Sequence, residues 1–127
     1  MSYKNLIQEF YTNAINNKVK TRASLAPYVT DEALLDHVDM FESAFPKYSI
    51  QIEDMIEEGD KLVVRARFQG KHLGTFNGID PTGKSVDLPF VIIYRMENNK
   101  IVEHWLMANF LEMLTQLGVM NMAEQNI

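Results

Sequence analysis

The stretch Lys100–Gly118, KIVEHWLMANFLEMLTQLG, decides the fold, because an extended pattern there hands over to a short helix just past the chain's one tryptophan. By the two-residue period of a strand, Ile101, Glu103, Trp105, Met107 and Asn109 share one side, and Val102, His104, Leu106 and Ala108 share the other. Both sides are largely apolar, so the strand is expected to be covered on both faces. From Phe110 the spacing changes: Phe110, Leu111, Leu114 and Leu117 recur at helical intervals, and Gly118 stands where a left-handed residue would end the helix. The junction gathers His104, Asn109 and Glu112 close to Trp105, and the functional site is sought there.

Asn109 has two readings. As N-cap of the short helix its side chain accepts from a first-turn N–H, with Glu112 placed to complete a capping box, and no ligand is needed. Facing a dry cavity instead, it is a ligand-binding or catalytic side chain. An aspartate put there would then be desolvated and destabilising near neutral pH.

Working outward, the chain has 127 residues, 46% of them hydrophobic, which suits one domain with a real core. The formal charge of −5 and the lack of any Lys/Arg run give no reason to expect nucleic acid or an acidic membrane as partner. There is no cysteine, hence no thiolate nucleophile or metal ligand. No stretch approaches the roughly 18 apolar residues of a membrane span, and the amino terminus lacks a signal-peptide core. A soluble cytoplasmic protein is expected.

Residues 1–46 read as mainly helical. Leu6, Ile7, Phe10, Tyr11, Ala14 and Ile15 draw one apolar stripe on a helix over 2–16. A short helical turn follows at 21–25, and a longer helix starts at Thr30-Asp31-Glu32 and carries Leu34, Val38, Phe41 and Phe45 to the stop at Pro46. His37 borders that apolar face. From 47 to 109 the period is two, with turns at Glu58-Gly59-Asp60, Asp80-Pro81-Thr82-Gly83 and Asn98-Asn99, which predicts five or six mainly antiparallel strands. GKHLGTFNGIDPTG, residues 70–83, reads as a bulged strand ending in an exposed loop. The expected architecture is one α+β domain over 1–127: amino-terminal helices packed on a curved sheet, a short helix at 110–118 and a tail at 119–127.

The histidines His37, His72 and His104 fall in three different elements, so no metal site is expected. No glycine-rich loop leads from a strand into a helix, and no Gly-x-Ser-x-Gly elbow exists, so nucleotide binding and serine hydrolase chemistry find no support. No cofactor is expected. What can be assembled is a cavity between helices and sheet, lined by some of His72, His104, Trp105, Asn109, Arg65 or Arg67, Tyr11 and His37, with Phe68 and Phe90 as apolar wall. Strand parity decides which of these face inward. If Trp105 does, His104 points to the other side, where a second subunit would cover it; Trp105 as ordinary core, and Arg65 and Arg67 on a solvated face, are the plainer readings.

Phe41 to Gly118 resembles the SnoaL-like polyketide cyclase group of the nuclear transport factor two-like superfamily. The likeness rests on AFP at 44–46, EGDKLVVR at 58–65, GKHLG at 70–74, GIDPTGK at 78–84 and IVEHW at 101–105 leading to QLG at 116–118, with EFYTNAINN at 9–17 similar to the group's first helix. The resemblance implies a cone-shaped α+β barrel with a deep hydrophobic pocket, and a homodimer made through the outer sheet face. It also implies ring closure by intramolecular aldol condensation without metal or cofactor, using an aspartate four residues after the tryptophan. Here that position is Asn109, and an amide can donate a hydrogen bond but cannot act as general acid or base. His72, matching the group's Gly-Thr-His-x-Gly histidine, is the candidate replacement. The expected function is binding of a small hydrophobic carbonyl compound, with cyclase- or isomerase-type chemistry if His72 and Asn109 converge on one cavity. The alternatives are a non-catalytic binding module and a dimerisation module with its interior filled by Trp105, Phe90 and methionines.

Overall fold

A computed structural model describes residues 2–119, so the tail expected at 119–127 lies outside them except for Val119. The first helix, α1 (Tyr3–Phe10), is capped by Ser2 and runs without a break into a π-helical turn, Tyr11–Ile15. The sequence explains the wide turn. Its apolar pairs repeat every four residues, slower than the 3.6 of an α-helix, and a π turn absorbs the drift so that Tyr11, Ala14 and Ile15 still face the sheet. The Asn16 side chain then accepts from the Ile50 N–H at 2.7 Å and ties this end to the sheet.

A single turn, α2 (Arg22–Leu25), is held by a Thr21–Ser24 capping box. The longer helix, α3 (Glu32–Ala44), is capped by Asp31, one residue later than the Thr30 start expected. Its Leu34, Leu35, Val38, Phe41 and Ala44 are buried on the sheet.

Four strands follow in place of the five or six expected: β1 (Ser49–Glu58), β2 (Lys61–Lys71), β3 (Ser85–Glu97) and β4 (Lys100–Ala108). They form one antiparallel meander in the order β1-β2-β3-β4, curled but not closed, and α4 (Phe110–Gln116) comes after it. The missing strand is the segment after His72. Its one bridge joins Phe76 to Ile79, and Phe76 inserts into the core at 5.3 Å from the Phe41 ring. Gly74 permits this, since a Cβ there would lie 2.0 Å from the Ser43 carbonyl oxygen.

Two bulges set which side chains face inward. In β1 the register slips between Ile52 and Asp54, and between β3 and β4 it slips after Arg95↔Glu103, so that Met96 pairs with Ile101 and Val102 is the extra residue. Ile101 therefore points inward together with His104, Leu106 and Ala108, while Glu103, Trp105 and Met107 point outward. The outer side of β4 is exposed within the chain, so the cover expected on that face would have to come from a second copy.

Candidate functional site

Even-numbered residues of β2, β3 and the later part of β4 face α1 and α3, and the space between them is not quite filled. A half-open cavity of about 70 Å³ remains. Leu34, Val38 and Phe41 of α3 form one wall, Phe68, Leu88 and Ile92 of the sheet another, and Met113 of α4 closes it from the side. Half-exposed Phe110 and half-buried His37, Phe90, Leu106 and Ala108 rim it. The volume is small beside the roughly 300–1,000 Å³ of pockets for drug-sized ligands.

Among the described lining residues, four carry hydroxyl or imidazole groups: Tyr11, Tyr48, Tyr94 and His37. The hydroxyls of Tyr11 and Tyr94 are 2.5 Å apart, both residues almost wholly buried, one from the π turn and one from β3. Burial raises the pKa of both; beside Tyr11 the Tyr94 hydroxyl pushes further the same way. Burial also raises Tyr48. All three are therefore neutral phenols at physiological pH.

His37 lies against Phe41, ring centroids 4.5 Å apart. Burial, with His104 adding to it, pulls His37 from 6.5 down to about 4, so its imidazole is neutral at pH 7. Behind it, 6.3 Å between centroids, His104 Nδ1 is hydrogen-bonded to Asp31 Oδ2 at 2.7 Å. The other oxygen of Asp31 caps α3, accepting from the Ala33 and Leu34 N–H groups, so one carboxylate fixes both the helix start and the histidine ring. The wall thus runs Asp31, His104, His37 toward the cavity.

The structure separates the other candidates from this cavity. His72 is fully buried, but behind the wall: its Nδ1 accepts from the Thr82 N–H at 3.1 Å, its ring lies beside Phe45, and its Nε2 has no partner among the described residues. It fastens the 72–84 loop. Trp105 lies on the outer sheet face, the opposite side from that required for cavity lining, because the Val102 bulge reverses the parity counted from Ile101. Arg65 and Arg67 are outside as well, paired with Glu53 at 3.3 Å and Asp87 at 2.6 Å.

Asn109 is exposed and accepts from the Glu112 N–H at 3.1 Å as the cap of α4, so it does not line the apolar cavity. Asn109→Asp should therefore leave stability within about 0.5 kcal/mol at pH 7, or raise it slightly, since aspartate caps as well and adds charge at the helix's positive end. The cap lowers the folded-state carboxyl pKa below the unfolded value, so any gain is present above the unfolded pKa of about 3.9 and lost as pH falls through the folded one. Urea denaturation at pH 7 and pH 3 checks this; a marked loss at pH 7 would place Asn109 in a dry site after all.

Of the pair at the cavity's deep end, Tyr11 is visible as part of the first apolar stripe. Tyr94 is not singled out by sequence, although it shares parity with Phe90 and Ile92 on an unbroken run. Among the described residues no group of three or more His, Cys, Asp or Glu could hold a metal, and no helix is long and apolar enough to cross a membrane.

Comparison with known proteins places this geometry. The family model for SnoaL-like polyketide cyclases matches residues 5–117. Among solved structures, a candidate SnoaL-like polyketide cyclase from Jannaschia sp. CCS1 superposes with a TM-score of 0.80 at 19% identity, covering 94% of this chain and 93% of that one. TsrD from Streptomyces laurentii gives 0.78 at 22%, covering 92% and 95%. IdmH from Streptomyces antibioticus, a candidate polyketide cyclase, gives 0.75 at 21%, covering 94% and 100%. At these identities the structural likeness is one of fold. Among proteins of curated function none matches.

Proposed function

The chain belongs to the SnoaL-like polyketide cyclase family, and we propose that it binds a small hydrophobic carbonyl compound in the cavity between α3 and the sheet. The observation that carries this reading is an apolar cavity whose few polar groups, three phenols and one neutral imidazole, are all uncharged. An ionic ligand would lose its hydration there without gaining a counter-charge, whereas a compact ketone, enone or ester would not. If the site turns its ligand over by cofactor-independent cyclase- or isomerase-type acid–base chemistry, the proton moves through His37. Asn109 and His72, the two positions first considered for that role, do not line the cavity.

A second reading, binding without chemistry, is favoured by one specific observation: the position of the family's catalytic aspartate is an amide occupied with capping α4. In both readings two copies pair through the outer face of β3 and β4, where Trp105 and Met107 are 43% and 68% exposed and Val91 and Ile93 are half-buried. Native mass spectrometry of protein purified without a tag tests binding and pairing together. The expected species is a dimer carrying one small carbonyl compound per chain. A monomer at all concentrations would remove the pairing, and a co-purified phosphorylated or metal ligand would remove the carbonyl reading.

A further inference from the structure

The Tyr11–Tyr94 contact has an unused hydrogen. Two hydroxyl groups 2.5 Å apart share one hydrogen bond between them, in which either oxygen can be the donor. The second hydroxyl proton then has no acceptor within the pair. Both phenols are almost fully buried, in a cavity whose other walls are hydrocarbon apart from Tyr48 and His37. A buried O–H left without an acceptor costs on the order of 1–3 kcal/mol, so the position favours an occupant that supplies an oxygen lone pair. Burial holds both groups protonated, so they remain donors across the physiological range.

The phenol that accepts within the pair also becomes a stronger donor with its own remaining proton, because polarisation along a hydrogen-bonded chain is cooperative. The cavity is small beside pockets for drug-sized ligands, so a compact apolar molecule suits it best. We propose that the Tyr11–Tyr94 hydroxyl pair is the oxygen-binding subsite of the cavity, and that its ligand is a compact ketone or ester held by its carbonyl oxygen.

This inference rests on the cavity-binding reading above and adds the point of attachment. The fixed point also sets orientation: with the oxygen at the deep end, the hydrocarbon part of the ligand extends toward the rim, where His37 and Phe110 stand.

The test uses two probes of one shape, cyclopentanone and methylenecyclopentane, which differ in having an oxygen or a methylene group. Affinities for both are measured by NMR titration of the wild-type chain and of Tyr11→Phe/Tyr94→Phe, with circular dichroism confirming that the variant folds. The ratio of ketone to hydrocarbon affinity is expected to fall about tenfold in the variant, because the ketone loses its donor and the hydrocarbon loses nothing. The infrared carbonyl stretch of 13C-labelled cyclopentanone bound to wild-type protein, which needs no variant, is expected below its value in hydrocarbon solvent.

If both probes bind but the ratio is unchanged and the carbonyl stretch is that of hydrocarbon solution, the oxygen subsite is overturned and the apolar cavity stands. Failure of both probes to bind wild-type protein overturns the cavity reading and the subsite with it.

Discussion

Phe41→Ala is expected to destabilise the protein by about 3–5 kcal/mol and to make it bind benzene, which should restore a large part of the loss. Phe41 is 5% exposed on the inner face of α3 and lines the cavity. Five aromatic rings surround it, His37 at 4.5 Å, Phe76 at 5.3 Å, Phe68 at 5.5 Å, Phe45 at 6.1 Å and Phe110 at 6.4 Å between centroids. Those rings belong to α3 and its C-cap, β2, α4 and the 72–84 loop, so they cannot all close in after truncation. The void left behind joins the existing cavity, and an enlarged apolar space stays dry and takes up aromatic hydrocarbons. Benzene at one hundred times its dissociation constant would return about 2.7 kcal/mol. Urea denaturation with and without benzene measures both numbers. A cost below about 1 kcal/mol, with no benzene effect, would mean that the interior collapses on itself or is already filled with water.

The second large effect is expected from Lys20→Met, at about 3 kcal/mol of lost stability. Lys20 is buried, and its ammonium donates to the Lys18 and Tyr48 carbonyls at 2.8 and 2.9 Å and to Glu42 Oε1 at 3.0 Å. It also sits 3.9 Å over the Tyr48 ring, adding a cation–π contact. Burial lowers its pKa, and Glu42 opposes the shift. Methionine fills the same space but leaves Glu42, among the described residues, with the Lys47 N–H alone and takes a donor from each carbonyl. Breaking one side of a buried pair costs more than removing both, so Lys20→Met/Glu42→Gln should recover at least 1 kcal/mol of the loss. Thermal or urea unfolding of the two variants checks the order. A double variant no more stable than Lys20→Met would show that the carbonyls, and not the charge pair, hold this corner.

The helix-then-meander order was legible because periods of near 3.6 and 2 follow each other with clear breaks at Pro46, Gly59 and Asn98-Asn99. The three latter residues do take positive φ, as a tight hairpin requires. Fine placement was not legible at Val102, where one extra residue between β3 and β4 reverses the facing of everything from His104 onward. Periodicity carries no mark of such a bulge, because Val102, Leu106 and Ala108 suit either face. Trp105 and Asn109 were consequently drawn toward a site that His104, Leu106 and Ala108 adjoin instead. The strand count failed for a related reason: Phe76 and Ile79 look like strand residues, but close approach at Gly74 and the His72–Thr82 hydrogen bond fold that segment into a pinned loop.

Asp31 was visible only as an acidic residue at a helix start, and nothing local tells that its second oxygen meets His104, 73 positions later. The Tyr11–Tyr94 pair likewise joins residues 83 positions apart. Contacts of that range depend on how α1 lies across the sheet, which a single sequence does not encode in any spacing.

On the reading proposed above, ligand enters the interior cavity and not the outer face that carries the sole tryptophan. The most direct measurement is an NMR map of chemical-shift changes as cyclopentanone is added to the wild-type chain. Saturable changes are expected at Phe41, Ile92, Tyr94 and Leu106, with Trp105, Met107 and Arg65 unmoved. Changes confined to Trp105, Met107 and Arg65, with the interior silent, would contradict it.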